Sequence, residues 1–366
     1  MLRKLKLWIL PIHRWTGLTV GLVIAAMAAT GASLAFRPQI EPLFSSNILS
    51  VPACREAGSL DEMTKQAVEM HPEGVLDFVR ITPHPRGRNR PATWIRFTDK
   101  TTYYFNPCNG AYLGQMDRYA GLFGTIEKIH RFRWTPVGSY VTGTTALFLI
   151  LVMAIGGLVL WIPPNRVAFQ RHLKLTAGLK GRPKLLNLHR VTGVYASILL
   201  LLSAATGLPQ AFPSAKNLVY KIAGSPLPVK PGSSPSYRSG DIRLPLDAIY
   251  KDGLALAPDA QEIQFRYPIK ATDPIEGLYI GQDAPHINAR SFFYIDAYDG
   301  SIIEHTPHNT NSAGHKLYYW TLSWHQGLVF GLLSQILIFL GALSALVLAF
   351  SGIKSFWLRS FRRRTG

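Results

Sequence analysis

Four histidines stand at the borders of long apolar segments, where an imidazole could bind a metal ion. They are His13, His130, His189 and His325. His13 opens the sequence H-R-W-T-G, and His189 opens the matching sequence H-R-V-T-G 176 positions later. A neutral imidazole ligates iron, copper and zinc. A single histidine at a helix end can equally be an interfacial polar residue, so the pairing of these four decides between the two interpretations.

The elements that must position these histidines are four segments without any Lys, Arg, Asp or Glu. The segments cover 15–36, 134–165, 191–215 and 317–353. Each exceeds the ~20 residues that an α-helix needs to cross a bilayer. We therefore predict an α-helical membrane protein with four transmembrane helices, placed at 8–36, 129–163, 188–212 and 317–357.

The charge distribution predicts the topology of these helices. The net charge is +18, yet all 21 acidic residues fall in 37–128 and 209–316, where 11 and 10 basic residues balance them. The excess of Lys and Arg lies in acid-free strips at both termini and in the loop 164–187. This is the positive-inside pattern. It indicates cytoplasmic termini, including a basic tail at 358–366, and contact with anionic membrane lipid rather than with nucleic acid.

The internal duplication sets the four histidines in two pairs. Helices 1 and 3 match at a shift of 176 and both begin at the cytoplasmic face, so His13 and His189 are predicted at one depth. Helices 2 and 4 match at a shift of 195, which puts His130 and His325 together at the opposite depth. Facing histidines in a helix bundle build cofactor sites. Each pair is suited to the two axial positions of a b-type haem, and two haems would form an electron path across the membrane.

Small and basic residues near the histidines allow two interpretations. The glycines at 17, 31, 156, 157, 193 and 207 would let a flat ring approach the backbone, or would only permit close helix packing. Arg14 and Arg190 follow their histidines directly. They would pair with haem propionates or with lipid phosphates. The same two kinds of partner are possible for Arg131 and Arg133. His172, in the basic loop, is expected in solvent or at a propionate.

The two long loops repeat a pattern of one helix followed by alternating strands. The predicted strands cover 75–82, 93–98 and 102–106 in the first loop, and 262–268, 276–280 and 291–296 in the second. An Asn-Gly pair at Gly110 and an Asp-Gly pair at Gly300 then indicate a hairpin turn. We predict two small α+β domains, at 37–128 and 213–316, on the side of the membrane opposite the termini.

Other side chains in these loops could also carry chemistry. Cys54 and Cys108 share the first domain; in an oxidising compartment they predict a disulfide, and two free thiols are the alternative. His305, His308 and His315 form a loose cluster that fits no strict zinc spacing. The aromatic residues Tyr318, Tyr319, Trp320 and Trp324 indicate an interfacial belt or the floor of a substrate site.

The combination of motifs resembles a known family. The D-x-x-x-G turn from Asp296 to Gly300 is typical of PepSY domains. Between membrane helices that open with H-R-x-T-G, it is similar to the PepSY-associated transmembrane proteins, from about His13 to Trp357. This group includes iron-regulated membrane proteins and ferric-siderophore reductases such as the ferrioxamine reductase. The resemblance implies PepSY-like periplasmic domains and a ferric siderophore as substrate at a bacterial inner membrane.

Absent motifs restrict the source of electrons. The chain has no G-x-G-x-x-G after a strand and no Walker A, C-x-x-C or H-E-x-x-H motif. The loop 164–187 is too short for a flavin or nicotinamide domain. A separate cytoplasmic reductase or membrane quinol must therefore act as the donor of a two-haem reductase. The alternatives are a non-catalytic PepSY binding or anchoring protein, and a metal permease, which the lack of acidic residues in the membrane segments disfavours.

Overall fold

The structure, a computed structural model, describes residues 1–54, 57–84 and 88–362, so the end of the predicted tail 358–366 lies outside it. The helices are α1 (Leu2–Leu18), α2 (Val20–Ala35), α3 (Arg37–Leu49), α4 (Leu60–Met70), α5 (Gly121–His130), α6 (Gly138–Phe148), a π-helix (Leu149–Ile155), α7 (Gly156–Trp161), α8 (Arg166–His172), α9 (Gly181–Ala211), α10 (Pro213–Ile222), α11 (Leu246–Leu256), α12 (Ala313–Gln326) and α13 (Leu332–Arg362). The strands are β1 (Ser50–Pro52), β2 (Leu76–Ile81), β3 (Asn89–Pro91), β4 (Thr93–Phe97), β5 (Thr101–Phe105), β6 (Tyr112–Asp117), β7 (Glu262–Arg266), β8 (Ile275–Ile280), β9 (Ser291–Ile295) and β10 (Ile302–Thr306).

The chain divides into two compact units. The helical unit comprises Met1–Arg37, Thr125–Val219 and Thr321–Gly366. The sheet unit comprises Pro38–Gly124 and Tyr220–Trp320. Each unit therefore takes segments from both copies of the duplicated sequence.

The helical unit contains the candidate membrane spans. Gly138–Trp161, Gly181–Ala211 and Leu332–Ser360 are long and apolar enough to cross a bilayer. The pair α1 and α2 makes a fourth span if both helices cross as one, although they bend by 56° at Thr19. Thr19 Oγ1 donates a hydrogen bond to the Trp15 carbonyl at 2.9 Å, a contact that bends helices. The protein is thus multi-pass, with three to four spans.

Helices 2 and 4 begin later than the sequence predicts. The expected spans 129–163 and 317–357 are each broken, because α5 ends at His130 and α12 ends at Gln326, before α6 and α13 begin. Phe132 has φ 49° after α5, and Gly327 and Gly331 have φ 69° and 56° after α12. Such left-handed residues end helices. His130 and His325 therefore lie at the ends of short helices that precede the spans.

The sheet unit holds the predicted strands in one antiparallel sheet. Its order is β10-β9-β8-β7-β2-β4-β5-β6. The predicted strands agree with the observed ones to within two residues at each end. The two last strands follow matching turns, in which Gly110 has φ 72° and Gly300 has φ 77°. Each half of the sheet carries one helix, so both loops are α+β as predicted.

The two halves are fused rather than separate. Strand β2 pairs with β7, with Val79 opposite Phe265, and one buried core contains side chains from both halves. The helix N-termini also cap each other. The Asp247 carboxylate accepts from the Leu60 amide at 2.8 Å, and the Asp61 carboxylate accepts from the Leu246 amide at 2.7 Å. The two predicted α+β domains therefore share one eight-stranded sheet.

Candidate functional site

The first histidine pair joins α1 and α9. The ring centres of His13 and His189 are 6.3 Å apart, with an angle of 89° between the ring planes. His13 Nδ1 donates to the Val152 carbonyl at 3.0 Å, and His189 Nδ1 donates to the Leu348 carbonyl at 3.1 Å. Each ring is thus held by the backbone of another spanning helix of its own copy.

The second pair joins α5 and α12. The ring centres of His130 and His325 are also 6.3 Å apart, with an interplanar angle of 41°. His130 Nδ1 donates to the Met27 carbonyl on α2 at 3.0 Å, and His325 Nδ1 donates to the Ser203 carbonyl on α9 at 3.0 Å. The structure therefore brings together the four histidines in the two pairs that the duplication indicates.

A glycine lies against the Cε1 atom of every one of these rings. A Cβ atom built at Gly31, Gly157 or Gly352 would lie 3.3 Å from the Cε1 atom of His130, His13 or His189, respectively. A Cβ atom at Gly207 would lie 2.8 Å from His325 Cε1. A Cβ atom would therefore clash with the ring at position 207, and at the other three positions it would make an unusually tight contact with the ring edge. By contrast, Gly17 faces Met153 and Gly193 faces Leu348, so these two glycines serve helix packing.

The π-helix corrects the register at one of the four rings. In three cases the glycine follows the accepting carbonyl by four positions, as in Leu348 and Gly352. For His13 the separation is five, from Val152 to Gly157. The π-helix Leu149–Ile155 lies at this place, and its wider turn carries one extra residue. The same ring environment is therefore kept despite a local shift in the backbone, and π-bulges of this kind are frequent at functional sites.

Two hydroxyl groups that sequence reasoning missed complete the environment of one ring in each pair. Thr30 Oγ1 lies 3.1 Å from His130 Nδ1, and Ser351 Oγ lies 3.0 Å from His189 Nδ1. The Thr-Gly sequence that occurs at position 30 and again at position 206 was a signal for these ring environments, because Gly31 and Gly207 lie against the rings of His130 and His325. Thr206 itself donates to the Leu202 carbonyl at 2.7 Å.

The basic residues beside the histidines have different surroundings. Arg14 is half-buried and Arg190 is exposed. Arg131 forms an ion pair with Glu127 at 3.1 Å, and Arg37 pairs with the same carboxylate at 2.8 Å. Glu127 is buried and lies about one turn before His130, and both arginines are half-buried. Arg131 is therefore already engaged by a carboxylate.

His172 of the basic loop is half-buried rather than solvated. Its Nδ1 atom donates to the Trp161 carbonyl at 3.0 Å, and the two rings pack with their centres 6.0 Å apart. These contacts tie the loop to the end of α7. The expectation of a solvent-exposed side chain is corrected accordingly.

In the sheet unit, Cys54 and Cys108 form a disulfide, as the sequence predicts.

The loose histidine cluster gains a member that the spacing did not indicate. The ring centres of His286 and His308 are 5.9 Å apart. Burial, helped by the neighbouring His308, lowers the pKa of His286 to about 4. Within the described ranges, no three side chains of His, Cys, Asp or Glu are placed to hold a metal ion.

The aromatic residues before α13 pack against this histidine group. The ring centres of Tyr319 and His315 are 4.7 Å apart, and those of Trp320 and His286 are 4.8 Å apart. His315 is buried, and its Nε2 atom donates to the Arg290 carbonyl at 3.0 Å. Tyr319 and Trp320 therefore belong to the packing of the sheet unit instead of forming a simple exposed belt.

Comparison with known proteins yields a match over most of the chain. The family described as PepSY-associated TM region matches residues 10–359. No curated protein matches the chain. Since the match covers far more than half of the sequence, the chain belongs to the PepSY-associated TM region family.

Proposed function

We propose that the protein is a b-type electron-transfer protein with two haems that reduces a ferric siderophore on the periplasmic side of a bacterial inner membrane. One observation carries the proposal. Four histidine rings have the same surroundings, with Nδ1 bonded to a carbonyl and Cε1 against a glycine, and they lie in two pairs with equal ring separations.

The hydrogen bonds select the tautomer that a metal ligand requires. A carbonyl oxygen only accepts, so each Nδ1 atom must carry the hydrogen. In the neutral ring the lone pair then lies on Nε2. The Nε2 atoms of the four rings make no hydrogen bond to any residue that the structure describes. A backbone carbonyl on the second nitrogen is also the usual partner of a metal-bound histidine, because it fixes the ring orientation.

The ring separation fits one metal ion between each pair. Two metal–nitrogen bonds of about 2 Å, with about 1 Å from each nitrogen to its ring centre, amount to about 6 Å. The observed distance is 6.3 Å in both pairs. His13, His189, His130 and His325 would hold two haem groups, which would supply single-electron transfer. Arg14 and Arg190 would offer charge to the propionates.

The charge pattern orients the two pairs. Acid-free basic strips flank α1, α9 and the end of α13. By the positive-inside rule, this pattern supports a position of His13 and His189 near the cytoplasm. Electrons from a cytoplasmic reductase or from membrane quinol would enter at this pair. The pair of His130 and His325 would then serve the periplasmic side, where the substrate would be reduced.

The substrate class follows from the family resemblance. One electron converts the Fe(III) of a siderophore to Fe(II), and the chelator remains intact. Fe(II) has the lower charge and is held more weakly by hard oxygen ligands, so the iron is released outside the membrane. The protein would therefore act as a ferric-siderophore reductase.

A visible absorption spectrum of the detergent-purified protein tests the proposal. We expect a Soret band that sharpens on dithionite reduction into b-type α and β bands, with about two haems per chain by pyridine haemochrome. Addition of a ferric hydroxamate chelate to the reduced protein, without oxygen, should restore the oxidised spectrum and deliver Fe(II) to ferrozine. A colourless protein from haem-replete cells would contradict the proposal and favour a non-catalytic binding protein or a permease.

A further inference from the structure

A cavity of about 340 Å³ lies inside the sheet unit. Its lining includes Leu60, Ile81, Pro107 and Tyr250, together with the charged side chains of Arg90 and Asp247. The volume is near the lower end of the ~300–1,000 Å³ of small-molecule sites. The cavity is therefore too small for a large chelate and suits a ligand with few heavy atoms.

Arg90 is the unusual member of this lining. It is only 5% exposed, and its Nη1 atom lies 3.5 Å from Cys54 Sγ. Its Nε atom is buried and makes no hydrogen bond, and no carboxylate of the described residues forms an ion pair with it. A guanidinium does not lose its proton in proteins, and a buried charge without a counter-ion is unfavourable. Within the part of the chain that the structure describes, the charge that Arg90 brings to the cavity therefore has no counter-ion.

Asp247 does not supply the missing counter-ion. Its carboxylate accepts hydrogen bonds from Ser59 Oγ at 2.5 Å and from the Leu60 amide at 2.8 Å. Although burial raises the pKa of Asp247, these hydrogen bonds lower it overall. The carboxylate is committed to capping α4, so Arg90 is left to a ligand from solution.

Tyr250 and the apolar lining define the chemistry of that ligand. Burial raises the pKa of Tyr250 despite the neighbouring Arg90 charge, so its hydroxyl stays protonated and can donate. A guanidinium fork binds a carboxylate with two parallel hydrogen bonds. Leu60, Ile81 and Pro107 would cover a hydrocarbon portion, which inorganic phosphate lacks. We propose that this cavity is a binding site for a small organic carboxylate, held by Arg90.

Titration of the full-length protein in detergent with succinate tests the site, by calorimetry and by thermal unfolding at constant ionic strength. We expect succinate, but not sodium chloride, to raise the unfolding temperature. Arg90→Gln should raise the apparent Kd for succinate at least about tenfold, because a charge-assisted hydrogen bond is lost. Arg88→Gln removes a nearby exposed charge and should bind succinate like the wild type.

A second variant guards against misfolding. Arg90→Met removes the buried charge but keeps the volume, so it should fold without ligand at least as well as the wild type and lose the response to succinate. The site is refuted if succinate leaves the wild type unchanged, or if both Arg90 variants respond as the wild type does. Phosphate binding as tightly as succinate, and lost in Arg90→Gln, would overturn the assignment to a carboxylate. The test involves no haem, so it stands apart from the proposed electron transfer.

Discussion

The two units of the molecule join the copies of one duplicated sequence in opposite ways. In the helical unit each copy contributes one side chain to each histidine pair, so the copies meet through rings such as His13 and His189. In the sheet unit the copies meet through the backbone, because β2 pairs with β7. Helix α4 and helix α11 also exchange carboxylate caps there.

The environment explains this difference. A helix in lipid satisfies its backbone groups internally, so two copies in a membrane have only side chains and small-residue surfaces with which to meet. A strand at the edge of a sheet presents unpaired amides and carbonyls, and these are used for joining the copies in water. Duplication thus yields paired histidines in the helical unit and one continuous sheet in the sheet unit.

Breaking one histidine pair should have the largest effect. His189→Ala removes one imidazole of the first pair, while His130 and His325 of the second pair keep their own carbonyl partners. We expect the haem content to fall from about two to about one per chain. Pyridine haemochrome and the reduced spectrum measure this fall. His172→Ala, a histidine of the basic loop, is the matched control and should keep both haems. An unchanged haem content in His189→Ala would remove this residue from the proposed ligands.

Removing the disulfide should have the next largest effect. The disulfide lies in the first half of the sheet unit only. Cys54 and Cys108 are 54 positions apart, and the second copy carries no cysteine. Cys54→Ser should reduce the unfolding free energy of the sheet unit by about 2–4 kcal/mol. Proteolysis in urea measures this change, and reduced wild type should match the variant. Equal midpoints with and without the disulfide would show that the shared sheet alone stabilises the first half.

The spans, strands and histidine pairs were predictable because each depends on a regular pattern. Charge-free length marks the spans, alternation marks strands such as β4, and the duplication pairs the histidines. The break before α6 had a signal in the sequence, because Thr135-Pro136 separates His130 from the apolar run. The break before α13 had a weaker signal, because Gly327 adds no charge and glycine also occurs inside membrane helices. The apolar pattern of a helix also does not show which backbone carbonyl accepts the hydrogen bond from a histidine ring.

The pairing of the two sheet halves could not be predicted from the sequence, for a different reason. Alternation in β2 and β7 predicts a strand and its buried face, and it does not select the partner of a free edge. Asp61 and Asp247 occupy equivalent positions in the first turns of α4 and α11, and the sequence does not show that each caps the other helix. The reciprocal caps depend on tertiary contacts between residues more than 180 positions apart.

Replacing the glycine beside each ring with alanine compares the two copies within the pair of His130 and His325. A Cβ atom at position 207 would lie 2.8 Å from His325 Cε1, whereas at position 31 it would lie 3.3 Å from His130 Cε1. Overpacking of this kind costs about 1–3 kcal/mol, and we expect the larger cost at 207. Gly207→Ala should lose haem more readily than Gly31→Ala when both are titrated with denaturant. The reverse order would show that α12 shifts more easily than α5.

The smallest effect concerns the caps that fuse the sheet unit. Asp247→Asn keeps the shape of the side chain but removes the charge at the N-terminus of α4, which should cost about 0.5–2 kcal/mol of unfolding free energy. The pKa of Asp247 is lowered from 3.8 in the folded protein, so the unfolded chain takes up a proton first as the pH falls. The advantage of the wild type over the variant is therefore complete above about pH 4 and disappears as the pH falls through the lowered pKa. Proteolysis in urea at pH 7 and at pH 3 measures it. Asp283→Asn, at an exposed loop position, should leave both values unchanged. An Asp247→Asn deficit as large at pH 3 as at pH 7 would mean that packing rather than charge holds the two halves together.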